Sequence, residues 1–168
     1  MNSDLFDFGK TINSFRGKHG FLSNLFDCRF TIWDTEFPSA EHAYQWAKTL
    51  DPIEKDHILW WDVMQTAYTP GTLCKSRGKT VTLRPDWETI QENGNILAYN
   101  TMLEICRAKF TQNVELGQRL LDTDDARLIE GNYWHDRRWG VCDCEKCDKK
   151  ENLNWLGVIL MQVRDELK

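Results

Sequence analysis

The dipeptide Pro38-Ser39 constrains this chain most, because two kinds of backbone must meet there. Upstream, Phe30, Thr31, Ile32 and Trp33 favour a strand, Asp34-Thr35 offers a turn, and the chain returns through Phe37. Pro38 ends the ladder because it has no N–H to donate. Downstream, Ser39 is a good N-cap, Glu41 sits in the first turn where the helix dipole favours an anion, and Ala40 to Leu50 is rich in helix formers. A strand pair therefore runs straight into a helix, and both kinds of element belong to one chain.

Helix signals dominate the rest. Asp51-Pro52-Ile53-Glu54 combines a capping Asp, an N1 proline and a glutamate at N3, which predicts a second helix to about Ala67, stopped by Thr69-Pro70-Gly71. A short helical segment precedes the Arg77-Gly78 break. Asp86 is read as the cap of a helix carrying Ile90, Leu97, Met102, Cys106 and Phe110, loosened at Gly94. Asn113 to Leu121 predicts another helix, Arg127 to Glu130 a short strand, and Asn132 to Asn154 mostly loop. Leu156, Ile159, Leu160, Val163 and Leu167 then form one apolar stripe, with Asn154 as its N-cap.

A length of 168 residues fits one domain. Residues 1–14 carry little pattern beyond Leu5, Phe6 and Phe8 and read as a poorly specified end; residues 15–168 read as the domain. With 41% apolar and 28% charged residues the chain can bury a core. A net charge of −5 excludes an overall basic field, so an anionic ligand must be met by local cations. No apolar run approaches the ~18 residues of a membrane span, and the start lacks the basic-then-apolar pattern of a secretory leader. A cytoplasmic protein without a membrane partner is expected. The eight Trp residues supply either a core of large side chains or a pocket for a planar ligand.

Three places can carry chemistry. On the Ser39 helix, Glu41, Tyr44, Gln45 and Lys48 share a polar face, while Ala43, Trp46, Ala47 and Leu50 point to the core. That face is either solvated or a site. Asp136-Arg137-Arg138-Trp139-Gly140 gathers a carboxylate, two cations and an indole, which suits a sugar and a base as well as it suits a self-paired surface loop. Cys142-x-Cys144-x-x-Cys147 has metal-knuckle spacing but needs a fourth ligand, from His135, Cys28 or Cys74. Reduced thiols or a structural zinc are its two readings, and no cofactor is required for catalysis. Phosphate-cradling glycine motifs are absent. His42 serves packing or capping as readily as acid chemistry.

Taken in order, Phe21-Leu22-Ser23-Asn24-Leu25, Phe37-Pro38-Ser39-Ala40-Glu41-His42-Ala43-Tyr44-Gln45-Trp46-Ala47-Lys48, Arg84-Pro85-Asp86-Trp87, Ala108-Lys109-Phe110, Asp136-Arg137-Arg138-Trp139-Gly140 and Asn154-Trp155-Leu156-Gly157 resemble the successive motifs of the NADAR, or YbiA-like, family. The likeness covers about residues 15 to 167. It implies an α+β fold, a single compact, helix-rich domain packed around a small sheet, and a hydrolase of ribosyl N-glycosidic bonds, acting on phosphoribosylamino-pyrimidine intermediates of riboflavin synthesis or on ADP-ribose attached to guanine in nucleic acid. It implies Glu41, Lys48 and Asp136 as catalytic residues, and a pocket lined by Asn24, Tyr44, Gln45, Trp87 and Trp139. Glu130 to His135 and the cysteine triplet depart from the family pattern, which touches the substrate more than the reaction.

For such a reaction Glu41 would stabilise the developing positive charge and deprotonate water, with Asp136 or Lys48 serving the leaving nitrogen. Arg16, Lys18, Arg137 and Arg138 are candidate phosphate ligands, and Trp139 or Trp87 would stack on the base. The alternatives are a non-catalytic module that binds ADP-ribose or a nucleotide, and a zinc-organised nucleic-acid binder.

Overall fold

The computed structural model describes residues 10–168, so Leu5, Phe6 and Phe8 lie outside the described residues. The chain is helix-rich, with its sheet divided among three two-stranded pairs. Strand β1 (Thr11–Ile12) runs parallel to β4 (Arg127–Leu128), β2 (Phe30–Ile32) pairs antiparallel with β3 (Thr35–Phe37), and β5 (Gly131–Asn132) runs parallel to β6 (Val141–Cys142). Within the segment expected to be an unpatterned end, Ile12 is therefore paired and buried.

Helix α1 (Ala40–Ala47) starts where expected, with the Ser39 hydroxyl accepting from the His42 N–H. Helix α2 (Pro52–Leu59) is capped by Asp51, which accepts from the N–H groups of Ile53 and Glu54. It stops eight residues short of Ala67, because Trp60 turns extended and its ring stacks on Tyr68 with centroids 4.6 Å apart. Helices α3 (Gly71–Arg77), α4 (Leu97–Gln112), α5 (Val114–Leu121) and α6 (Trp155–Glu166) complete the domain. Helix α4 packs against α1, α5, α6 and β2 and is the centre of the core. The stripe expected on α6 is buried at Leu156, Ile159, Leu160 and Val163.

Other expectations give way to longer-range partners. No helix starts at Asp86: both of its oxygens accept from Arg84, at 2.6 and 2.9 Å, so they are unavailable as a cap. Ile90 instead bridges Ile96 around a turn with Gly94 at φ +81°, and the helix begins only at Leu97. Leu50 lies beyond the end of α1 and is 59% exposed, outside the core. Asn154 precedes α6 without capping it, since its side chain accepts from the Glu130 N–H and donates to the Leu128 carbonyl, tying α6 to β4. Among the described residues no helix is long and apolar enough to cross a membrane.

Candidate active site

The polar face of α1 is not solvated. Glu41, Tyr44 and Gln45 are buried, and with Lys48 they form one wall of a cavity of about 420 Å³. That size suits a small-molecule ligand. The helix is pinned from both ends of its first turn. The Glu41 N–H donates to the Asn24 carbonyl at 2.9 Å, and the His42 ring bridges the Ser39 hydroxyl and the Thr69 carbonyl. His42 is thus a buried strut, with burial lowering its pKa, and the neutral ring that accepts from Ser39 and donates to Thr69 satisfies both partners.

Glu41 is 5% exposed, and burial raises its pKa, opposed by the Gln45 hydrogen bond and by Lys75 and Lys48. Gln45 Nε2 donates to Glu41 Oε1 at 2.8 Å, and Lys48 Nζ donates to Gln45 Oε1 at 3.0 Å and to the Gly78 carbonyl. Lys48 therefore reaches Glu41 through an amide. A Cβ on Gly78 would collide with the Gln45 amide, so the absence of a side chain there preserves this chain of hydrogen bonds.

Aromatic rings make the adjoining wall. Tyr44 lies 5.3 Å from Trp87 and 5.2 Å from Trp139, and Trp139 meets Trp155 edge-to-face at 5.5 Å, centroid to centroid. Burial holds the Tyr44 hydroxyl in its protonated form, with Glu41 adding to the effect. Trp residues elsewhere build packing, such as the Trp33–Trp46 stack.

Asp136 comes from the late loop to the same cavity as Glu41. Its Oδ1 accepts from the N–H groups of Arg138 and Trp139, at 3.1 and 2.9 Å, and Asn132 grips its backbone N–H and carbonyl. The strand β4 leads into a third carboxyl, Glu130, which sequence reasoning missed although it ends the apolar run Leu128-Ile129. Its pKa is pushed up to about 7, first by burial and then by Asp136 and Glu41, with Lys75 opposing. Lys75, Lys79 and Glu88 also line the cavity and were missed, since nothing in their local sequence marks them. Glu88 holds Arg138 in a two-pronged pair, both contacts at 2.9 Å.

Asn24, Trp87 and Arg138 line the cavity as expected, while Arg16, Lys18 and Arg137 do not. Arg16 and Lys18 are exposed, and Arg137 donates to the Glu151 carbonyl. Lys75 on α3 and Lys79 just beyond it line the cavity, together with Lys48 and Arg138. The cysteine triplet gathers with His135, their four ligand atoms lying within 4.8 Å of one another, a set that can hold a metal ion. Cys28 and Cys74 are not part of it.

The whole of this architecture falls inside one recognised unit, since residues 12–168 match the NADAR domain. The chain belongs to the NADAR family. Among similar proteins, a riboflavin biosynthesis protein of Vibrio vulnificus is 34% identical over 150 residues, covering 89% of this chain and 36% of that longer protein. N-glycosidase YbiA of Escherichia coli is 29% identical over 153 residues, covering 89% of this chain and 82% of YbiA. The solution structure of E. coli YbiA superposes with a TM-score of 0.72 at 26% identity, over 94% of this chain and 84% of that one. This NADAR chain thus shares the helix-rich fold with small sheets, and Glu41, Glu130 and Asp136 line the same cavity.

Proposed function

We propose that this NADAR protein hydrolyses the N-glycosidic bond of a phosphoribosylamino-pyrimidine of the kind formed in riboflavin synthesis, releasing ribose 5-phosphate. The observation that carries this reading is the convergence of Glu41, Glu130 and Asp136 on one aromatic-walled cavity with cations at its edge. Names borne by the similar proteins, an N-glycosidase and a riboflavin biosynthesis protein, support it.

As the C1′–N bond breaks, its electron pair moves to nitrogen and positive charge grows on the ribosyl ring. Glu41, whose ionised form is favoured by Gln45, Lys75 and Lys48 against the opposing effect of burial, stabilises that charge and as the carboxylate takes a proton from the water that adds to C1′. Glu130 holds a proton near neutral pH and delivers it to the leaving nitrogen, with Asp136 orienting the sugar. The products are ribose 5-phosphate and the free amine, so atoms and charge balance. Lys75, Lys79 and Arg138 bind the phosphate, and Trp139 contacts the base.

The net charge of −5 and a cavity whose four cations are interspersed with four carboxyl groups favour a free metabolite over nucleic acid. The test presents the purified protein with a phosphoribosylamino-pyrimidine and, separately, with an oligonucleotide carrying ADP-ribosylated guanine. Ribose 5-phosphate from the first is expected. Release of ADP-ribose alone overturns the substrate class, and no release from either overturns the hydrolase.

A further inference from the structure

We propose that His135, Cys142, Cys144 and Cys147 bind one structural zinc ion that staples the loop carrying Asp136 and Trp139 to the cavity. The sequence supplies three thiols on one tight turn: Cys142 ends β6, Cys144 precedes a single 3-10 turn (Glu145–Cys147), and Cys147 closes it with its N–H on the Cys144 carbonyl at 2.9 Å. The fourth ligand arrives from the other side of the loop. His135 stands at φ +68°, a left-handed conformation that costs a non-glycine residue free energy and that surrounding structure must hold in place. There its Nδ1 lies 3.3 Å from Cys144 Sγ and 3.4 Å from Cys147 Sγ, while Cys142 Sγ is 3.4 Å from Cys144 Sγ.

These separations identify the chemistry. A disulfide needs sulfurs about 2.05 Å apart, so no pair is bonded, and all six cysteines are free. Tetrahedral zinc, with Zn–S about 2.3 Å and Zn–N about 2.0 Å, sets neighbouring ligand atoms about 3.5–3.8 Å apart, within a few tenths of an ångström of these three contacts, and all four ligand atoms lie within 4.8 Å of one another. Three thiolates and one imidazole are a closed structural set for zinc, and hard cations would prefer oxygen. An outer contact holds the turn in place: the Cys142 N–H donates to Asn152 Oδ1 at 3.1 Å.

The consequence reaches the cavity through one peptide bond. Asp136 follows His135 directly, and Asn132, which holds both backbone groups of Asp136, pairs with Cys142 in the β5–β6 ladder. A metal at this point fixes both ends of that span. Only this positional part rests on the proposed hydrolase; the metal site does not.

The test uses the full chain expressed without chelators and desalted. One zinc per chain by elemental analysis is expected, and cobalt substitution should give the intense visible bands of tetrahedral thiolate coordination. Cys144→Ser should lose the metal and His135→Cys should keep it. Hydrogen exchange on the metal-free protein should rise across 132–147 and stay unchanged in α4. Absence of bound metal together with failure of the metal-free protein to take up zinc overturns the site, as does a disulfide among these cysteines by peptide mapping. Uniform exchange with and without zinc overturns the staple alone, and neither result depends on turnover.

Discussion

Gln45 and Glu41 sit one helical turn apart on α1 and share a hydrogen bond of 2.8 Å inside a cavity wall. The amide does two jobs, since its other end takes up Lys48. A carboxylate is thereby kept in a buried place without direct contact with the lysine that would neutralise it.

Replacing Glu41 by Gln should leave the fold intact and lower kcat by about 10²–10⁴ with little change in KM, because the lost group acts on the reacting atoms. Steady-state release of sugar phosphate measures this. The unfolding midpoint at pH 8 should hold or rise, because ionised Glu41 is disfavoured by burial.

Gly78→Ala should push Gln45 from its seat, because the new Cβ would occupy the amide's position. Losing one hydrogen bond to a charged group is worth about 1.5–3 kcal/mol, or about 10- to 100-fold in kcat/KM. Gln45→Leu should cause the same loss, and combining the two should add nothing, which a double-mutant cycle reads directly.

Glu130 predicts the pH dependence. Its pKa of about 7 in the folded chain lies above the ordinary carboxyl value, so between about pH 4.5 and 7 the folded state binds more protons than the unfolded one. Stability therefore falls as pH rises through that window, and kcat/KM should fall above about pH 7 as the acid loses its proton. Glu130→Gln should flatten the stability curve, seen in denaturant midpoints at pH 5 and pH 8, and remove the alkaline limb of what activity remains.

Lys109 is 1% exposed, and its ammonium donates to the Ser23 carbonyl at 2.9 Å and lies 5.0 Å over the Phe110 ring. Burial lowers its pKa, and Ser23 and Asn24 beyond it line the cavity. Lys109→Ala leaves a void and strips the Ser23 carbonyl of its charged donor, leaving it only the Phe26 N–H at 3.3 Å, which should cost about 2–4 kcal/mol in urea unfolding.

Local chemistry made the helix starts at Ser39 and Asp51 and the α6 stripe readable, because caps and 3.6-residue periodicity act within a few residues. Glu41, Asp136 and the aromatic wall were marked by the resemblance. What the sequence hid depends on distant partners. Arg84 takes Asp86 away from capping, Tyr68 captures Trp60, and strands of two residues leave almost no periodic trace. Glu130 was missed because a carboxylate ending a short strand looks like any surface acid until Asp136 and Glu41 are brought beside it.

The backbone of Arg138 and Trp139 accepts hydrogen bonds from the N–H groups of Trp155 and Leu156, at 3.0 and 3.1 Å, so the last helix holds the loop that completes the cavity. Undocking α6 would therefore open the cavity along with the core, so the two cannot be loosened independently.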